Sequence, residues 1–213
     1  MRYRNYHIGR SLRRCGLLIG MLLLPVAAQA DDIPPLEERL QLCAGCHNPD
    51  GNSEIPENPK LSGLDAAYIA RQLKDFKSGD RHSNVMVNII PMVDEKEYKS
   101  LAVFFSVQKR TNGAAADKAL AAQGKLIYDD GILGSAVPAC AGCHNEDGSG
   151  SAKYPRIAGQ NTPYVMQQLL DFKNGVRTND AKAAMQAVAK RMNEQEIEAV
   201  AHYVSTLKEA EEE

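Results

Sequence analysis

The pentapeptide Cys-Ala-Gly-Cys-His occurs twice in this chain of 213 residues, at 43–47 and at 140–144. Four cysteines in C-x-x-C pairs could form two disulfides in an exported protein, or a structural zinc site. The histidine after each pair favours haem attachment instead, because two sulfurs can add to the two vinyl groups of one haem while the adjacent imidazole binds its iron. The predicted residues are Cys43, Cys46 and His47 in the first motif, and Cys140, Cys143 and His144 in the second. Two copies therefore predict two covalently attached haem c groups with their iron.

The repetition extends well beyond the two motifs. At an offset of 97, residues 43–51 and 140–148 are identical at eight of nine positions. At an offset of 96, residues 59–81 and 155–177 are identical at ten of 23 positions. The chain is therefore interpreted as a duplicated haem domain.

The boundaries of the two domains follow from the repeat. The N-terminal domain is predicted at 31–110 and the C-terminal domain at 117–213. Residues 111–116 have no apolar periodicity and contain a glycine, so they are predicted to be the linker.

Residues 1–30 are predicted to be a signal peptide. They contain five arginines and no acid, then the apolar run Gly16 to Val26, and they end in Ala-Gln-Ala. Cleavage after Ala30 would export the protein to the periplasm, and Cys15 would be discarded with the peptide. The alternative is a retained anchor, although a short apolar run containing Pro25 is poorly suited to spanning a bilayer.

The charge of the remaining chain excludes some classes of partner. Without the five arginines of the leader, 20 basic side chains face 27 acidic ones, a net charge of −7. This balance argues against a basic nucleic-acid stripe and against a polybasic membrane patch.

Both domains have the apolar periodicity of α-helices and no β pattern of any length, which predicts an all-α fold. The predicted helices are 35–46, 65–78 and 94–108 in the first domain and 117–129, 162–174 and 193–208 in the second, the last of each opening on Asp94 and Asn193. Asp65 and Thr162 are predicted N-caps, and Gly79 and Gly175 are predicted ends.

Methionine is the expected sixth iron ligand of an electron-transfer haem, because its thioether favours reduced iron. At an offset of 99, which also aligns the terminal helices, Met86 corresponds to Met185. The three other methionines after residue 30, which are Met92, Met166 and Met192, correspond to no methionine. Met86 and Met185 are therefore the predicted distal ligands.

The repeat also separates two unmatched histidines from two matched prolines. His82 and His202 have no histidine counterpart, so they are predicted to be surface or helix-face residues. Pro59 and Pro155 match each other about a dozen residues after the two motifs. Their carbonyl groups could accept the Nδ1 proton of the axial histidines and fix the imidazole orientation, although ordinary turn prolines would give the same pattern.

The chain resembles the diheme cytochrome c4 family over residues 33–208. The resemblance is carried by CAGCHNPDGNS, NPKLSG and YIARQLKDFKSG in the first domain and by VPACAGCHNEDGSG, YPRIAGQ, YVMQQLLDFKNGVRTND and AAMQAVAKRM in the second. It implies two class I cytochrome c folds related by a pseudo-twofold axis, with haem propionates facing the domain interface. It also implies ligation of one iron by His47 and Met86 and of the other by His144 and Met185.

One departure from the family concerns the first helix of each domain. The second domain keeps the family's Gly-Lys pair as Gly124-Lys125, whereas the first domain has Glu38-Arg39. Because glycine lets two helices approach closely, the first and last helices of the N-terminal domain are expected to cross at a wider separation.

The resemblance implies a periplasmic electron carrier rather than an enzyme, with no catalytic side chains. Its donor would be a membrane quinol-oxidising complex and its acceptor a haem-copper terminal oxidase, with any membrane association made through these partners. A dedicated cytochrome subunit of a periplasmic dehydrogenase is the alternative. A diheme peroxidase or thiosulfate dehydrogenase is less favoured, because those enzymes should have lost one of the matched methionines.

Overall fold

The computed structural model describes residues 34–113, 117–151 and 153–208. These residues form one compact unit, in which a first half (34–113) packs against a second half (117–208). The predicted signal peptide, linker residues 114–116 and the C-terminal residues 209–213 lie outside the described residues.

The described residues are helical, which confirms the all-α prediction. The first half contains α1 (Leu36–His47), α2 (Ala66–Ser78), α3 (Met86–Ile89) and α4 (Tyr98–Ser106). The second half contains α5 (Lys118–Asp130), α6 (Ala141–His144), α7 (Thr162–Asn174), α8 (Ala184–Ala189) and α9 (Glu194–Thr206). Short 3-10 turns span Ile90–Met92, Glu95–Glu97, Leu133–Ser135 and Ala181–Ala183. No helix in the described ranges is long and apolar enough to cross a membrane.

The ends of α2 follow the sequence signals, whereas the start of α7 does not. Asp65 caps α2 by accepting a hydrogen bond from the Tyr68 backbone N–H at 2.8 Å, and Gly79 ends the helix with φ 86°. The prediction of Thr162 as the N-cap of α7 is wrong, because the cap is Asn161 and Thr162 is the first helical residue. The Asn161 side chain is used elsewhere, donating to carbonyl oxygens of the first half.

The start of the terminal helix differs between the halves. Asn193 and Glu196 form a capping box at the start of α9, as the sequence indicates. Asp94 and Glu97 form the same box, but it caps a 3-10 turn, and α4 begins only at Tyr98. The single helix predicted over 94–108 is therefore a 3-10 turn followed by a nine-residue helix.

The second half is organised around the crossing of α5 and α9. A Cβ on Gly124 would lie 2.0 Å from the Ala199 carbonyl oxygen, so only glycine permits this approach. The core beside the crossing contains Tyr128, Met192 and Ile197, all at most 2% exposed. The two helices thus form the most extensive helix pair of the described chain.

In the first half, α1 and α4 make little contact, as the replacement of Gly-Lys by Glu38-Arg39 predicts. Arg39 reaches instead to the turn before α4, where its Nε donates to Glu97 at 2.8 Å and its Nη1 to the Met92 carbonyl at 2.6 Å. The Glu97 side chain is only 4% exposed. A largely buried ion pair therefore connects the elements that a close helix crossing connects in the second half.

Candidate haem sites

The first motif occupies the end of α1. Helix α1 terminates at His47, which is 8% exposed and whose Nδ1 lies 2.9 Å from the Pro59 carbonyl oxygen. A carbonyl can only accept, so Nδ1 carries the proton and Nε2 keeps its lone pair. Burial lowers the pKa of His47, despite the opposing effect of this hydrogen bond. The imidazole is therefore neutral and oriented, as an iron ligand requires.

The second motif places its histidine in the same hydrogen bond, but on a separate short helix. His144 ends the single turn α6, is 6% exposed, and its Nδ1 lies 2.9 Å from the Pro155 carbonyl oxygen. Burial again lowers the pKa of this imidazole. The predicted contact between each motif histidine and a proline carbonyl is thus confirmed in both halves.

Among the described residues, none of the four motif cysteines forms a disulfide. Burial raises the pKa of Cys43 and raises that of Cys140 to about 11. Cys43, Cys46 and Cys140 are half-buried, and Cys143 is exposed. Each motif therefore presents two neighbouring sulfurs beside one oriented imidazole, the donor set of a c-type haem.

The two matched methionines occupy equivalent places. Met86 is the first residue of α3 and Met185 the second of α8, and both are half-buried. A side-chain oxygen holds each backbone N–H, Ser83 Oγ at 3.2 Å from Met86 N and Asp180 Oδ2 at 2.7 Å from Met185 N. Their side chains are therefore carried on short, anchored helical turns.

The unmatched methionines have other environments. Met192 is 2% exposed inside the core of the second half, and Met166 packs against the same core. Met92 is 49% exposed. Two of the three thus pack in or against the core and the third lies at the surface, which leaves Met86 and Met185 as the predicted distal ligands.

A haem group fits the incomplete burial of α2 and α7. Among the 13 residues of α2 only Ile69 and Gln72 are buried, and among those of α7 only Phe172. The remaining large apolar side chains of these helices are only half-buried: Tyr68, Leu73, Phe76, Tyr164, Val165, Met166, Leu169 and Leu170. The apolar face of a helix in a small domain has to pack against another apolar surface. A covalently bound haem macrocycle would supply that surface.

The other histidines are placed as follows. His82 is exposed, with Nε2 3.0 Å from Asn84 Oδ1. His202 lies on α9 and is 8% exposed, and its Nδ1 accepts a hydrogen bond from the Asp117 backbone N–H at 3.4 Å. His202 is thus a buried helix-face residue beside the start of α5.

A polar network between the halves has no counterpart in the sequence predictions. Arg81 and Arg177, which match in the repeat, form an isolated antiparallel bridge. Arg81 Nη2 donates to Tyr164 Oη at 2.9 Å, and Arg177 Nη2 donates to Tyr68 Oη at 3.1 Å. Each arginine therefore binds a tyrosine of the opposite half. The identity of Arg81 and Arg177 in the repeat was the available signal, but it gives no indication of contact across the boundary.

A second contact between the halves lies beside Pro59. The Gln160 side chain pairs with the backbone of Lys60, accepting from its N–H at 2.8 Å and donating to its carbonyl at 3.0 Å. The Asn161 amide donates to the carbonyl of Asn58 at 2.9 Å. Both contacts lie within two residues of Pro59, so the loop that orients His47 is held from the second half.

Comparison with known proteins gives consistent results. The sequence model of the cytochrome c family matches residues 121–208. A cytochrome c4 of Azotobacter vinelandii is 35% identical over 203 residues, covering 90% of this chain and 96% of that protein. A thiosulfate dehydrogenase electron acceptor of Stutzerimonas stutzeri (strain A1501) is 31% identical, with coverage of 89% and 92%. The crystal structure of reduced cytochrome c4 from Pseudomonas stutzeri superimposes with a TM-score of 0.77 at 35% identity, covering 81% of this chain and 97% of that one.

Proposed function

The chain belongs to the cytochrome c4 family, and we propose on that premise that it is a periplasmic carrier of electrons between a quinol-oxidising complex and a terminal oxidase. It is a diheme electron-transfer protein with two covalently bound haem c groups. The observation that carries the proposal is the doubled site, in which His47 and His144 each have Nδ1 2.9 Å from a proline carbonyl. Two equivalent centres suit transfer of one electron per haem.

The proposed attachment and ligand residues are those of the two motifs with the matched methionines. Cys43 and Cys46 would hold the first haem and Cys140 and Cys143 the second. His47 with Met86 and His144 with Met185 would bind the two irons. The haem iron supplies the redox chemistry, while the protein orients the ligands and excludes water.

An enzymatic role is less favoured by the same residues. A haem that binds substrate needs an open or exchangeable position on its iron. Here the half-buried Met86 and Met185 occupy matching turns, and neither half has lost its methionine. Both irons would therefore have two protein ligands, as suits a carrier.

A second candidate concerns the donor. One relative, 92% of whose length is aligned with this chain, is called a thiosulfate dehydrogenase electron acceptor. Reduction by a thiosulfate-oxidising dehydrogenase, transient or as a dedicated subunit, is therefore the alternative to reduction by a quinol-oxidising complex.

The experiment mixes the oxidised holoprotein with each donor and follows haem reduction by stopped-flow absorbance. The donors are a quinol-oxidising complex with quinol, and a thiosulfate dehydrogenase with thiosulfate. The Met86→Ala and Met185→Ala variants serve as redox-altered controls. We expect fast, saturable reduction by the quinol-oxidising complex and reoxidation by terminal-oxidase membranes. Reduction by the dehydrogenase alone would establish the second candidate, and turnover of peroxide or thiosulfate by the purified protein would contradict the carrier assignment.

A further inference from the structure

The guanidinium groups of Arg81 and Arg177 are buried together at the boundary of the halves. The two residues are 7% and 8% exposed. Both donate to Gln168 Oε1, at 2.7 Å from Arg81 Nη2 and at 2.8 Å from Arg177 Nη1. They also share Gln72 Oε1, at 2.6 Å and 3.3 Å. Two like charges are therefore held against the same two oxygens.

The acceptors of these two cations are neutral. Within the described part of the chain, neither arginine forms an ion pair with a carboxylate. The nearest acidic groups are one amide away: Asp75 accepts from Asn179 at 2.6 Å, and Asp171 accepts from Gln168 at 3.4 Å. A buried charge is costly unless an opposite charge compensates it. The cluster thus has a positive excess that the chain itself only partly balances.

The pKa of Tyr68, which lies beside the cluster, is shifted by the same positive charge. Burial by itself would raise the pKa of Tyr68, but the guanidinium groups of Arg177 and Arg81 bring that pKa below its usual value. The cluster therefore favours negative charge in its surroundings.

One donor of the cluster has no acceptor. Gln72 is 6% exposed, and its Nε2 is buried without a hydrogen-bond partner. Buried amide donors are almost always satisfied. An unsatisfied N–H group beside two cations that the nearby carboxylates balance only partly indicates that an anion with oxygen acceptors belongs here.

The haem groups supply such oxygens, since each haem has two propionate carboxylates. We propose that Arg81 and Arg177 are positioning residues for both haems at once, binding haem carboxylates at the boundary and raising the reduction potential of each haem, whichever half the arginine comes from. Each arginine should affect both haems because its guanidinium group is hydrogen-bonded to side chains of both halves. Positive charge disfavours the more positive ferric state, so both potentials are raised.

The proposal rests on the two haems of the proposed function, and it is tested on the holoprotein by its potentials rather than by activity. Arg81→Gln and Arg177→Gln remove one charge each, while Arg81→Lys keeps it. Lys77→Gln, which removes an exposed positive charge from α2, is the matched control. The two midpoint potentials are measured by spectroelectrochemical titration, with each haem assigned by NMR of its methyl groups.

We expect Arg81→Gln to lower both potentials, Arg177→Gln to do the same, and Arg81→Lys and Lys77→Gln to leave both close to the parent values. A shift confined to the haem of the substituted half, or no shift, would overturn the proposal. If an arginine variant does not fold, Gln72→Glu provides a second test, because a carboxylate at this site should also lower both potentials. Haem content and the His/Met spectrum are recorded for each variant, so a failure of the carrier assignment is seen separately.

Discussion

The two halves build the same histidine site on different supports. In the second half, α5 and α9 cross closely at Gly124, and the motif sits on the separate turn α6. In the first half, the single helix α1 both carries the motif and reaches the terminal helix region, through the Arg39–Glu97 ion pair. Yet in both motifs the histidine Nδ1 lies 2.9 Å from a proline carbonyl oxygen. The imidazole orientation therefore depends on the short chain segment after the motif rather than on the helix crossing.

The methionine turns differ as well. In the second half, Lys182 and Ala183 precede Met185 with φ of 57° and 54°, the left-handed region that disfavours side chains. The corresponding residues of the first half, Ser83 and Asn84, do not have positive φ. The turn that carries Met185 is therefore the more strained of the two.

The largest effect is expected from removing one attachment motif. Cys140→Ser with Cys143→Ser should leave a protein with one haem, because serine cannot form a thioether. The matched pair Cys43→Ser with Cys46→Ser should lose the other haem. Intact mass of the purified proteins measures this. Loss of both haems from either double variant would show that the halves do not bind haem independently.

The next effect concerns the close helix crossing. Gly124→Ala places a Cβ 2.0 Å from the Ala199 carbonyl oxygen and should destabilise the second half by about 3 kcal/mol, at the upper end of overpacking costs. The control is Gly134→Ala, since a Cβ there has no atom within 4 Å. Guanidinium unfolding followed by circular dichroism gives both values. Equal midpoints for the two variants would mean that α5 and α9 can separate at little cost.

The first half should depend on its ion pair instead. Arg39→Met leaves Glu97, whose side chain is 4% exposed, without its partner and should cost about 2 kcal/mol. Adding Glu97→Gln should recover much of the loss, because the neutral amide can still cap Asp94. The exposed Lys125–Asp129 pair of the second half is the comparison, and Lys125→Met should have a much smaller effect. Similar losses from both substitutions would contradict the role of burial.

The smallest effect is relief of strain before Met185. Ala183→Gly should stabilise the second half by roughly 0.5 kcal/mol, since glycine adopts positive φ freely but has a larger entropy in the unfolded chain. Asn84→Gly, at the matching position of the first half, should instead destabilise slightly. Unfolding midpoints of the two variants moving in the same direction would remove the asymmetry between the methionine turns.

Local features of the molecule could be predicted from its sequence, and long-range ones could not. The N-cap Asp65 and the histidine contacts of Pro59 and Pro155 depend on residues close in the chain or on the repeat. Asn161 lies at the N-cap position of α7 in place of Thr162, and its side chain donates to residues about 100 positions away instead of capping the helix. The Arg81–Arg177 cluster was missed for the same reason, since a repeat relates equivalent residues without showing that they touch.

The central claim is that both haems have histidine and methionine ligands. The most direct measurement is the absorption and NMR spectrum of the ferric holoprotein for Met86→Ala, Met185→Ala and the double variant. Each single variant should lose half of the weak red charge-transfer band of methionine-ligated haem and the shifted methionine methyl signal of one haem, with a lower potential for that haem. The double variant should lose both. Retention of both methionine signals in either single variant, or their loss in Met92→Ala or Met192→Ala instead, would contradict the account.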